Sequence, residues 1–283
     1  EEEKKSKEKK IEKLSGFVSK FGAGTRASQV QSRKKEIERL KPQDLKQSNI
    51  QRPYIYFEPS EKVPGRILLK AEKLSKEFDD LSVINNFSFE IHRGDKIGII
   101  GKNGAGKTTL LKLLAGELTP SSGTSEFGHG VELSYFAQNH NEVINKETTS
   151  PVFESLKALF PNVYDQEVRG ALGKMLFSGD DAFKPLATLS GGETARYILA
   201  KMMLEDNNLL ILDEPNNHLD LEAVSALAWG IKEYKGTAIF SSHDRDLIST
   251  AASKIISIED DGIMFFDGPF EEYLAKAKGK KCS

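Results

Sequence analysis

The residues best equipped for chemistry in this chain are nine in a row, Gly101-Lys102-Asn103-Gly104-Ala105-Gly106-Lys107-Thr108-Thr109. Their spacing fits G-x-x-x-x-G-K-[ST], in which glycines let successive backbone N–H groups turn toward one anion while a helix starting there aims its positive dipole end at the same point. Asn103, Gly104, Ala105, Gly106 and Thr109 shape this cradle. Lys107 adds a mobile point charge for outer phosphates, and Thr108 offers a hydroxyl to Mg²⁺. A nucleoside triphosphate is the expected ligand.

Two acids belong to the same chemistry. Asp213 and Glu214 follow the apolar run Leu209-Leu210-Ile211-Leu212, and a buried strand delivers what lies at its carboxyl end to the region where such a loop sits. Asp213 is suited to Mg²⁺, and Glu214 to orienting or deprotonating an attacking water. Between loop and acids lies Leu189-Ser190-Gly191-Gly192-Glu193, a serine and two glycines at the head of a helical stretch. The free N–H groups of that first turn make a second anion cradle.

These groups need a scaffold, and the pattern supplies one. Ile97 to Ile100 reads as the strand before the loop and Lys107 to Leu114 as the helix after it. Further strands are expected at 67–71, 87–91, 131–136, 209–212, 238–241, 255–258 and 263–266. Helices are expected at 151–160, 166–177, 192–204, 221–234 and 270–277. Alternating strands and helices imply an α/β core with a parallel sheet. That domain spans 67–277, after an extended connector over 51–66 that holds Pro53, Pro59, Pro64 and Gly65.

Ahead of the connector, residues 1–50 carry a net +6 while the remainder carries −8. Ile11, Leu14, Phe17, Val18 and Phe21 recur at helical spacing, Gly22 and Gly24 interrupt, and a second helical pattern runs to Pro42 among Arg26, Arg33, Lys34, Lys35 and Arg39. A helical hairpin with a basic tip is expected, and such charge asymmetry suits an anionic partner such as nucleic acid. A solvated helical face accounts equally well for the charge run taken alone. No stretch approaches the roughly 18 apolar residues of a membrane span. The start lacks both Met and an apolar signal core, which leads us to expect a fragment of a longer cytoplasmic protein. The one cysteine, Cys282, excludes an internal disulfide and lies in a short basic tail, 278–283.

Together the motifs resemble the ATPase cassette of the ATP-binding cassette superfamily over residues 67–277. GKNGAGKTT resembles its Walker A, LSGGE its signature and LLILDE its Walker B. The resemblance implies a parallel-sheet core with an antiparallel β subdomain and a helical subdomain near 139–205. It also implies roles for further residues. Gln138 falls at the Q-loop glutamine that senses Mg²⁺ and the attacking water, His243 at the switch histidine, Asp220 at the D-loop, and Phe78 where an aromatic stacks on adenine. In this family each ATP is sandwiched between two cassettes arranged head to tail. Ser190, Gly191, Gly192 and Asp220 are then expected to serve a partner's nucleotide, while Lys107 and Asp213, the latter through water, serve this chain's own Mg·ATP.

Residues 213–220, Asp-Glu-Pro-Asn-Asn-His-Leu-Asp, and Ser242-His243-Asp244-Arg245 resemble the F subfamily, with Asn216 where its members usually have Thr. Residues 17–33 resemble the later half of the linker joining the two cassettes there, which in bacterial members is a hairpin reaching toward transfer RNA in the ribosome. The resemblance implies a carboxyl-terminal half-protein acting in translation, with Lys20, Arg26, Arg33, Lys34 and Lys35 as RNA contacts. A transporter motor subunit and a nucleic-acid repair accessory ATPase remain the alternatives.

Overall fold

The computed structural model describes residues 52–79, 81–139, 149–259 and 262–280. The expected basic hairpin, with Lys20, Arg26, Arg33, Lys34 and Lys35, lies outside the described residues, as does the end of the tail at 281–283.

The chain runs β1 (Ile67–Phe78), β2 (Leu81–His92), β3 (Lys96–Gly101), α1 (Lys107–Ala115), β4 (Ser122–Phe127) and β5 (Leu133–Phe136). Two helices, α2 (Val152–Leu159) and α3 (Asp165–Lys174), and two short 3₁₀ turns lead to α4 (Gly191–Met202). The remainder is β6 (Leu209–Leu212), α5 (Leu221–Glu233), β7 (Thr237–Ser241), α6 (Arg245–Ala251), β8 (Lys254–Glu259), β9 (Gly262–Phe266) and α7 (Phe270–Lys280). Six strands form one sheet in the order β5-β6-β7-β3-β8-β9, parallel except for the antiparallel β8/β9 edge. A second, antiparallel sheet has the order β2-β1-β4.

The central strands are apolar on both faces because both are covered, as a parallel sheet requires. In β6, Leu210 and Leu212 enter the core under the helices while Leu209 and Ile211 enter the core shared with α1 and the antiparallel sheet. In β7, Phe240 and Ile239 divide in the same way. A strand of four residues therefore needs no polar alternation, and its length is set by what lies at its two ends.

Two elements escaped the sequence pattern. β4 reads Ser-Gly-Thr-Ser-Glu-Phe and is largely exposed, so no hydrophobic alternation announces it. α6 is only seven residues long, nucleated by Asp244, whose Oδ1 accepts from the Leu247 N–H at 2.9 Å. β1 and β2 also extend well beyond the runs expected at 67–71 and 87–91, meeting near Phe78 and Leu81.

Residues 52–66 form no helix or strand and belong to the same compact unit, Arg52–Ser283, to which they are tied at several points. The Tyr54 N–H donates to the Lys174 carbonyl at 2.9 Å, and the Ser60 N–H to the Asn207 carbonyl at 2.7 Å. Ile55 and Phe57 are buried between these points, Phe57 meeting the Tyr234 ring edge-on at 6.1 Å. Tyr234 Oη donates to Asn207 Oδ1 at 2.6 Å, and Asn208 Nδ2 to the Gly130 carbonyl at 2.8 Å. A strap and a knot of buried amides thus fix the root of β6.

Candidate functional site

β3 ends at Gly101, and the loop that follows turns into α1 through Gly106 at φ 104°, a left-handed conformation that glycine adopts without strain. A Cβ there would stand 2.5 Å from Val83 Cγ1, so packing and backbone demand the same residue. No side chain caps α1 and no acid lies in its first turn. The helix therefore presents its free N–H groups and positive end to whatever anion the loop receives.

Around this point lies a cleft of about 520 Å³, whose lining includes Phe78, Val83, Asn103, Gly104, Thr108 and Thr109. Lys107, Gln138 and Glu214 complete it. Phe78 is 44% exposed, with Lys76 Nζ 5.0 Å from its ring centre, so it offers a ring face at the rim. Ala105 instead packs into the core beside α1, with its N–H donating to the Lys102 carbonyl at 3.2 Å.

Lys107 is 5% exposed, and its Nζ donates to the Gly101 and Lys102 carbonyls, both at 3.2 Å. The same nitrogen lies 2.9 Å from His243 Nε2 and 3.5 Å from Glu214 Oε1, and His243 Nε2 lies 3.2 Å from that oxygen. The imidazole tautomer decides whether Nε2 accepts from lysine or donates to glutamate. Three chain segments thus bring an ammonium, an imidazole and a carboxylate together at the head of α1.

Asp213 is fully buried. Its Oδ1 accepts from Ser241 Oγ at 2.7 Å, while Oδ2 has no hydrogen bond of its own. Burial pushes the Asp213 carboxyl above the usual carboxylate range, against the hydroxyls of Ser241 and Thr108. Thr108 Oγ1 in turn donates to Gln138 Oε1 at 3.3 Å. A buried carboxylate oxygen lacking a partner, beside a hydroxyl and an amide oxygen, is a donor set that fits a hard divalent cation completed by phosphate and water. Asp213, Thr108 and Gln138 thus fit Mg²⁺.

The second cradle stands apart from this cleft, for none of Ser190, Gly191, Gly192 and Asp220 lines it. Ser190 and Glu193 form a capping box: Ser190 N–H donates to Glu193 Oε2 at 2.9 Å, and Glu193 N–H to Ser190 Oγ at 3.3 Å. The Ser190 amide, with help from Lys184, holds the Glu193 carboxyl down at about 2. The box leaves the N–H groups of Gly191 and Gly192 for an anion. A Cβ at Gly192 would lie 2.7 Å from the His218 carbonyl, so this cradle is built against the loop after Glu214. Asp220 caps α5, its Oδ1 accepting from the Ala223 N–H at 2.8 Å.

Three residues that the sequence reading passed over complete the site. Ser241 accepts from the Glu214 N–H at 2.8 Å while donating to Asp213, and Asn217 Nδ2 donates to Glu214 Oε2 at 2.9 Å. Val83 closes the cleft opposite Gly106. Ser241 alone left a signal, a hydroxyl at the carboxyl end of the strand beside β6.

A family model described as ABC transporter matches residues 84–217, and a second model so described matches residues 1–57. The chain is 39% identical over 275 residues to the "Probable ATP-binding protein YbiT" of Escherichia coli O157:H7, covering 96% of this chain and 51% of that protein. It is 35% identical over 271 residues to "ABC transporter F family member 2" of Arabidopsis thaliana, covering 95% of this chain and 40% of that protein. The chain therefore spans about half the length, or less, of these relatives. Among solved structures, cbiO1 from Clostridium perfringens, described as part of the ABC transporter complex cbiONQ, superposes with a TM-score of 0.60 at 24% identity. That match covers 77% of this chain and 94% of the other, and the likeness is one of fold.

Proposed function

Starting from the ABC ATPase domain that this chain contains, we propose that it is the carboxyl-terminal half of an F-subfamily protein that uses ATP with Mg²⁺ to close two cassettes head to tail on the ribosome. The observation that carries the ATPase reading is the meeting of Lys107, His243 and Glu214 within 3.5 Å at the uncapped head of α1.

In this reading the loop amides and Lys107 hold the triphosphate, and Phe78 stacks on the base. Thr108, Gln138 and Asp213, the last through water, would hold Mg²⁺, which would supply charge neutralisation for the phosphates. Glu214 accepts a proton from the attacking water, and His243 contacts the terminal phosphate. Ser190, Gly191, Gly192 and Asp220 face the partner cassette's nucleotide. The closed pair forms only where ATP binds that state more tightly than the open one.

The F-subfamily assignment is supported by residues 213–220 and by the relatives matched over nearly the whole chain, including residues 1–57. The basic segment, with Lys20, Arg26, Arg33, Lys34 and Lys35, then contacts ribosomal or transfer RNA through phosphates, an interaction that weakens as salt rises. A transporter motor is the second reading, favoured by the fold likeness to cbiO1. No helix among the described residues is long and apolar enough to cross a membrane, and this second reading predicts co-purification with a transmembrane partner.

The test is E214Q in the protein carrying both cassettes. It is expected to bind ATP, hydrolyse it at least about 100-fold more slowly, and sediment with ribosomes only when ATP is present. Sedimentation free of ribosomes in ATP overturns the translation reading, and unchanged hydrolysis overturns the role of Glu214.

A further inference from the structure

The loop joining β6 to α5 turns sharply, and the turn is strained at two side-chain-bearing residues. Glu214 has φ 45° and His218 φ 68°, both in the left-handed region, where a residue with a side chain is strained and persists only if its surroundings hold it. The Glu214 N–H is held by Ser241 Oγ, the Asn217 N–H donates to the Glu214 carbonyl at 3.0 Å, and the Leu219 N–H donates to the Asn216 carbonyl at 3.2 Å. Within this frame two consecutive amide side chains reach in different directions. Asn217 Nδ2 donates to Glu214 Oε2 at 2.9 Å. Asn216 Oδ1 accepts from Ser242 Oγ at 2.8 Å, and Ser242 Oγ accepts from the Asp244 N–H at 2.9 Å, on either side of His243.

We propose that Asn216 and Asn217 are positioning residues that set the two reacting side chains in register, Asn217 by fixing the Glu214 carboxylate and Asn216 by fixing the loop that carries His243. A carboxylate has two oxygens, and the one that Asn217 holds is not the one that meets Lys107 and His243. With Oε2 pinned, Oε1 is the oxygen left to face the cleft and a water. A neutral amide suits this task, because its N–H orients a carboxylate oxygen without bringing a second full charge into the site. Ser242 spends its hydroxyl proton on Asn216 and a lone pair on the Asp244 N–H, so the backbone around His243 is tied to the same loop that places Glu214. The base and the histidine are referenced to one another through Asn216-Asn217, independently of Lys107.

The inference rests on the reading of Glu214 as the group that acts on water. The experiment is steady-state ATP hydrolysis by the protein carrying both cassettes, with affinity for a fluorescent ATP analogue measured in parallel. N217D keeps the shape and loses the donor, and N217A loses both without adding charge. Each is expected to lower kcat about 10-fold or more with the analogue's Kd within about 2-fold of wild type, since an orientation matters to the reacting state and not to the bound one. N216A is expected to lower kcat about 3- to 10-fold, and N216T, which restores an acceptor for Ser242, to recover most of that loss. Wild-type kcat in either folded Asn217 variant overturns the inference, as does N216T no better than N216A. E214Q as active as wild type overturns instead the reading it rests on, so the two failures are told apart.

Discussion

Asp213 shows what a single residue concedes to function. A carboxylate at 0% exposure with one oxygen lacking a hydrogen bond costs the fold stability unless something else satisfies that oxygen. The expected compensation is the cation. Adding Mg²⁺ to ATP should raise the melting temperature of the wild-type protein by about 5–10 °C near 100-fold saturation, an increment that D213N loses while retaining its stability without ligands. Differential scanning calorimetry with and without chelator measures both. At this scale Lys107 and Thr108 were singled out by the G-x-x-x-x-G-K-[ST] spacing, and Asp213 and Glu214 by an apolar run that ends in two acids. Asn217 left no signal, and the Ser241 hydroxyl at the end of β7 gains a role only once that strand's neighbour is known. Ser241 acts through the alignment of Leu212 with Phe240, and Asn217 through a left-handed turn at Glu214, and neither is a property of neighbouring residue types.

At the scale of elements, the register of β6 against β7 and the turn into α1 set the site, and both rest on a polar foundation at the opposite sheet end. There the Lys96 ammonium donates to the Gly236 carbonyl at 2.5 Å over the Tyr234 ring, with burial pushing its pKa down to about 8 from 10.5. The sign follows from proton counts. Between about pH 8 and 10 the unfolded lysine stays protonated while the folded one does not, so the unfolded state binds more protons and stability rises with pH. The full shift corresponds to about 3 kcal/mol. Urea unfolding from pH 7.5 to 10 should show wild type gaining stability relative to K96M, in which the rise is absent. The central strands were readable as short continuous apolar runs for the reason that β6 illustrates, both faces being buried, and the longer helices were readable from their apolar periodicity. β4 and α6 were hidden because one is an exposed edge of polar residues and the other is too short for periodicity to register.

For the whole molecule, the proposed function assigns the two separated cradles to different nucleotides. On that reading this chain's Lys107 would serve the nucleotide on its own loop, while Ser190 to Gly192 would serve the partner's. S190A should leave ATP affinity at this chain's loop within about 2-fold, yet slow turnover at the partner's nucleotide about 10-fold or more, whereas K107A should abolish binding at its own loop. Site-resolved nucleotide binding and turnover in the paired protein distinguish the two. The α/β class and the antiparallel sheet followed from the order of the elements and the family resemblance. The anchoring of the connector did not, because its prolines announce an extended chain without saying what that chain lies on.

That anchoring separates two boundaries that a sequence motif tends to merge. Among the described residues, every group that the proposed function gives a task in ATP chemistry lies after Ile67, so a fragment trimmed to that chemistry begins there. Such a fragment would bare the Tyr234 ring and leave the Asn207 carbonyl without Ser60, at the root of the strand that leads into Asp213. The stretch that carries the proposed chemistry and the stretch that carries its buried support are therefore different lengths of chain, and removal of the fifteen or so residues between them is expected to cost stability that an assay would read as weak catalysis.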